Sequence, residues 1–148
     1  AEIQWLASIA HNNLLNTGRQ DDWASHRVEH EISAQYGITH GEGMAVVMLA
    51  YVKYCAKKHP KKMAQFANRV FNIDYSNYTE EKMVLLLAEK LEQFYKKLNL
   101  KTTLTEMNID DTHFDEMADR ATKNNTSPVG HYYPLDKKRF IEVLKLAL

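Results

Sequence analysis

His26, His30 and His40 lie within fifteen residues of one another, in a chain that holds seven histidines in all. Imidazoles gathered this closely could hold a divalent metal ion or move a proton. His26 and His30 are four residues apart and so share one face of a helix. His40 follows ten residues later, beyond Gly37. A helix, a tight turn at Gly37 and a returning helix would bring His40 back toward His26 or His30. Imidazoles that converge from two antiparallel helices can bind a divalent transition metal. Spacing alone leaves open which of the three would ligate, and i,i+4 histidine pairs also occur on plainly solvated faces. Two zinc motifs are not met. H-E-x-x-H fails because Arg27 and Val28 follow His26. The deaminase pattern needs a C-x-x-C pair, and Cys55 is the single cysteine. A self-contained zinc hydrolase would require His26, His30 and His40 all to ligate, with Glu29 or Glu31 as base.

The elements that would position these side chains are helical nearly throughout. A first helix is expected over about 1–16, ending at Gly18, with Ile3, Leu6, Ile9, Ala10 and Leu14 on one side. The polar link GRQDD leads to a second helix near 23–36, stopped by Gly37. His40-Gly41 opens a third, to about His59, apolar almost all round and therefore central and buried. Pro60 starts a fourth, running to about Phe71, at a position where proline is tolerated. Thr79 caps a fifth, with Glu80 and Glu81 in its first turn and a stripe of Val84, Leu87, Ala88, Leu91, Tyr95 and Leu98. A sixth covers about 111–123 after Asp110-Asp111, and a seventh about 135–147 after Pro134. NNTSPVGHYYP, between the last two, is rich in turn formers. No strong strand and no repeat is visible. The fold class expected is therefore all-α, a bundle of about seven helices over residues 1–148.

The 148 residues suffice for one domain with a real core. Nineteen basic and nineteen acidic residues cancel, so no charge excess points to nucleic acid or an anionic membrane as partner. The run Lys57-Lys58-His59-Pro60-Lys61-Lys62 reads as a solvated corner with cations near a helix C-terminus. One thiol forms no internal disulfide, which fits a reducing cytoplasm, and Cys55 in an apolar pattern reads as buried. No apolar run reaches a bilayer span, and the N-terminus lacks the basic region of a signal peptide. Gly41 and Gly43 are the only close glycine pair and do not make a dinucleotide fingerprint. The chain opens without Met in mid-pattern, so it is expected to be a piece of a longer protein.

The stretch DDWASHRVEHEISAQYGITHGEGMAVVMLAYVKY resembles the metal-binding region of the iron-containing alcohol dehydrogenases, in particular their butanol dehydrogenase-like branch. That branch shows W-A-[ST]-H-x-[ILM]-x-H-E-[IL]-[ST]-A-x-[YH]-x-[IL]-x-H-[AG]-x-x-[LM]-A. Trp23 to His26, His30 to Ala34, Tyr36, Ile38, His40, Met44 and Ala45 fall on it. WLASIAHNNLL is similar to the helix that precedes this region, and PLDKKRFIEVLKLAL to the family's C-terminal helix.

The resemblance implies the helical C-terminal domain of a dehydroquinate synthase-like architecture, with the α/β nucleotide-binding domain lying upstream of Ala1. Family members hold the catalytic metal with an Asp, a His one turn later, and two further His fourteen residues apart. Here that last pair is His26 and His40, so they are the implied metal ligands; the other two would lie before Ala1. His30 matches a position beside the metal and the reacting carbon, which implies a catalytic role in orienting substrate or relaying the alcohol proton. His11, His59, His113 and His131 are assigned no role, and Trp23 and Tyr36 read as packing residues. The implied cofactors are a divalent metal, Fe2+ or else Zn2+, and NAD(P)H through the absent domain. The implied substrate is a small alcohol or aldehyde.

Ligation needs neutral imidazoles, so metal affinity is expected to fall below roughly pH 6.5. With half of the ligands, the isolated chain is expected to bind metal weakly and to be inactive. It should pair with the missing domain or self-associate as a homo-oligomer. The rival reading is a stand-alone helical interaction module without oxidoreductase activity.

Overall fold

The computed structural model describes residues 1–148. Gly37 adopts a left-handed conformation (φ +65°), and its N–H bonds back to the Ser33 carbonyl. This cap ends α2 (Ala24–Tyr36) and turns the chain into α3 (His40–Lys58). The other helices are α1 (Glu2–His11), α4 (Lys61–Phe71), α5 (Glu80–Lys97), α6 (Phe114–Thr122) and α7 (Lys137–Lys145), with short 3-10 turns at Leu14–Asn16 and Thr105–Met107. There are seven α-helices and no strand; one isolated antiparallel bridge joins Val129 to Leu135. The all-α expectation is borne out.

Two side-chain caps start helices, the first as the sequence predicts and the second inside the stretch expected to be helical already. Thr79 accepts a hydrogen bond from the Lys82 N–H at the start of α5. Asp136 accepts one from the Arg139 N–H at the start of α7. Two boundaries differ. The first helix ends at His11, not at Gly18, because Asn13 turns left-handed (φ +64°) and the Asn12 side chain accepts from the Leu14 N–H. Asparagine competes for the backbone in this way and tolerates that conformation. The sixth helix starts at Phe114, since Asp110 uses its side chain to bind the Thr112 N–H in a turn.

The third helix is central, as its sequence predicts. One side, through Val46, Val47, Ala50, Tyr51, Tyr54 and Cys55, packs with α2, α6 and α7. The other, through Leu49, Val52 and Ala56, packs with α4 and α5. Burial pushes the Cys55 thiol up to about 12, so it stays protonated and unreactive near neutral pH. No helix is long and apolar enough to cross a membrane. The first helix buries none of its residues: Ile3, Trp5 and Leu6 all face outward.

Candidate metal centre

Helix α2 buries Ala24, Ser25, Val28, Glu29 and Ile32, a stripe at helical spacing that faces the core. His26 and His30 flank this stripe, His26 half-buried and His30 exposed. His40 is the first residue of α3. The left-handed turn at Gly37 returns the chain, so the start of α3 lies beside the first half of α2. Ring centroids are 5.5 Å apart for His26 and His40, 5.4 Å for His30 and His40, and 6.3 Å for His26 and His30. The three sequence-selected imidazoles are thus brought together, through the turn that the sequence predicts.

His11, at the end of α1, stands 5.9 Å from His26 and was given no role by the sequence. Trp23 packs edge-on against His26 at 4.8 Å, so it is a wall of the cluster. His113 lies elsewhere, with its Nδ1 3.2 Å from Glu116. His59 stacks near Tyr132, and His131 is exposed.

Burial, then the neighbouring His40, His11 and His30, hold the His26 imidazole below its ordinary range. Each effect disfavours the cation. The neutral ring, the form that ligates a metal, therefore persists at His26 to lower pH than for a free imidazole.

Sequence reasoning missed Glu29 as a structural partner, weighing it only as a hydrolase base. It is 0 % exposed, and its two oxygens engage different donors: Oε2 the His40 Nδ1 and Oε1 the Ser33 hydroxyl. Donor atoms of Glu29, His30 and His40 lie within 4.8 Å of one another. The signal was present in the spacing. Glu29 sits inside the Ala24–Ser25–Val28–Ile32 stripe, where a charge is out of place unless paired.

Asp22 fixes the start of α2. Its Oδ1 accepts from the backbone N–H of His131, and its Oδ2 accepts from the Tyr51 hydroxyl of α3, at 2.8 and 2.9 Å. Gly130 lets the 129–135 loop approach. It has φ +83°, and an added Cβ would stand 2.6 Å from the Ala24 Cβ and 2.7 Å from Asp22 Oδ1. Gly130→Ala is expected to cost about 2–4 kcal/mol, adding a left-handed penalty to overpacking. Urea unfolding measures it; a cost under roughly 0.5 kcal/mol, the range of an ordinary surface change, would mean that the loop does not brace α2.

The chain is thus an all-α protein that gathers three imidazoles where two successive helices meet. The sequence matches the family described as "Fe-containing alcohol dehydrogenase family, C-terminal" over residues 3–148. The chain belongs to this family and corresponds to its C-terminal part. A probable NADH-dependent butanol dehydrogenase 1 of Bacillus subtilis (strain 168) is 33% identical over 146 residues, which are 99% of this chain and 37% of that protein. The crystal structure of NADH-dependent butanol dehydrogenase A from Thermotoga maritima superposes with a TM-score of 0.83 at 31% identity, over 97% of this chain and 37% of that one. Escherichia coli YqhD gives a TM-score of 0.86 at 22% identity, over 97% and 36%, a likeness of fold. The chain spans a little over a third of the length of these relatives.

Proposed function

We propose that residues 1–148 form the helical, metal-contributing domain of an NAD(P)H-linked alcohol dehydrogenase that interconverts a primary alcohol and an aldehyde. The convergence of His26 and His40 from α2 and α3 carries this reading. Neutral imidazoles are donors that divalent iron and zinc both accept. The His40 side chain is 48% exposed, so a bound ion would face open space where substrate can enter. The residues present therefore fit such an ion. In this reading His26 and His40 are ligands, and the remaining ligands and the coenzyme site come from the family's α/β domain. The outward apolar face of α1 supports a covering partner of that kind.

A bound ion would supply Lewis-acid polarisation of the substrate oxygen. The chain's own residues do the rest of the work on this side of the cleft. Trp23 restricts the His26 ring by packing against it. His30, exposed beside both ligands, orients the substrate or carries the alcohol proton. The single buried thiol fits a reducing, cytoplasmic setting. The domain alone would be inactive, and the whole enzyme would act as a homo-oligomer on small substrates.

The test uses the protein as its gene encodes it, stripped with a chelator and reloaded with Fe2+ or Zn2+. NAD(P)H-dependent reduction of butanal is expected to vanish on stripping and return on reloading. Turnover that is indifferent to chelation would overturn the metal reading. A complete absence of turnover at every metal tried, with a defined monomer in solution, would favour a helical interaction module instead.

A further inference from the structure

We propose that Glu29 is the positioning residue that fixes the tautomer and orientation of His40, and that Gly43 exists to make room for it. This rests on the reading of His40 as a ligand.

The observation is a buried carboxylate with no solvent contact in the core stripe of α2. An acidic group in such a place is costly unless its lone pairs are used. Here both oxygens are used. His40 Nδ1–H donates to Oε2, and the Ser33 hydroxyl donates to Oε1. Two donors from two different elements hold one carboxylate in a single pose.

The far wall of this pocket is α3 itself. Gly43 lies one turn after His40, and a Cβ there would sit 2.6 Å from Glu29 Oε1 and 2.9 Å from its Cγ. No side chain fits in that gap while the carboxylate occupies it. Gly43 is itself buried. The first turn of α3 thus presents both the imidazole that Glu29 grips and the notch that receives it.

The chemical consequence follows from the acceptor. A carboxylate takes only a hydrogen, so the imidazole proton must sit on Nδ1 and the lone pair on Nε2. Nε2 then becomes the ligating atom without a prior change of tautomer, and the charge on Glu29 makes it a better donor to metal. The same bonds argue against Glu29 as a ligand, although its oxygen lies near His30 and His40. A metal on Glu29 would have to enter a pocket closed to solvent, beside a carboxylate whose two oxygens already hold Ser33 and His40.

The experiment compares Glu29→Met, Glu29→Gln and His40→Ala in the protein as its gene encodes it. Zn2+ dissociation constants come from competition with a chromophoric chelator, and imidazole tautomers from 15N shifts of the metal-free, 15N-histidine-labelled protein. Glu29→Met keeps the volume and removes the acceptor; its partner His40 is half exposed and can turn to water. It should fold, weaken Zn2+ binding by about 10–100-fold, and shift His40 away from the Nδ1–H form. Glu29→Gln keeps a neutral acceptor and should recover most of the affinity and the tautomer. His40→Ala should lose more than either.

Equal, complete loss in Glu29→Met and Glu29→Gln would make Glu29 a ligand and overturn the positioning role. An unchanged His40 tautomer in Glu29→Met would overturn it as well, even with no metal present. If His40→Ala binds Zn2+ like the parent, the metal reading fails, and the tautomer shift alone would then report on the Glu29–His40 pair.

Discussion

Phe140→Ala should destabilise this protein by about 3–5 kcal/mol, the range for deleting a buried aromatic side chain. Phe140 lies in the middle of α7 and is 0 % exposed. It belongs to the part of the core shared by α2, α3, α6 and α7. Alanine would strip the ring and leave a cavity whose walls come from several helices that cannot all close on it. Native domains hold only about 5–15 kcal/mol in reserve, so the loss is a large share of the total. Phe94, the same residue type on α5, is 51% exposed. Phe94→Ala should stay within roughly 0.5 kcal/mol of the parent, as surface changes usually do. Urea unfolding of the two variants side by side separates burial from residue type. Equal midpoints would mean that α7 is not seated on α3 as described.

The sequence reports local devices well and distant ones poorly. Gly37, Pro60 and Thr79 punctuate the chain through local backbone geometry and bonds to near neighbours, and the helix ends they mark fall within a residue or two of the expected places. The histidine cluster was legible for the same reason. Its three rings sit on one helical hairpin, so spacing and a glycine turn determine their meeting. The first helix stops short of Gly18 because the asparagine pair at 12–13 ends it first. The place of Glu29 in the apolar stripe of α2 is visible in the spacing, but its partner is not, because that depends on what opposes it. Only the approach of α3, with a glycine at 43, turns a helix-face carboxylate into a buried acceptor. The brace from Asp22 to Tyr51 and His131 was invisible for a similar reason: it joins residues up to 109 positions apart.

The roles proposed for the three histidines can be separated by what each variant loses first. In His26→Ala and His40→Ala the metal itself should go. Partners that merely orient a ligand are worth about 10–100-fold in affinity, and a ligand should exceed that range. Turnover would fall with occupancy, and excess metal would restore part of it. His30→Ala should behave differently. It should keep its metal at stoichiometric content, because in the proposed site His30 neighbours the ion without ligating it. Its kcat should drop by roughly 10²–10⁴-fold, the usual weight of a positioned proton-transfer group, and added metal should not restore it. Metal analysis after gel filtration, run beside steady-state kinetics with butanal, reads both properties. The distances do not prejudge the answer, since His30 is 5.4 Å from His40 and His26 is 5.5 Å from it. If His30→Ala is the variant that loses metal while His26→Ala retains it, the ligand pair is His30 and His40. His26 would then be the ring that, kept neutral by burial and by its imidazole neighbours, lines the substrate side.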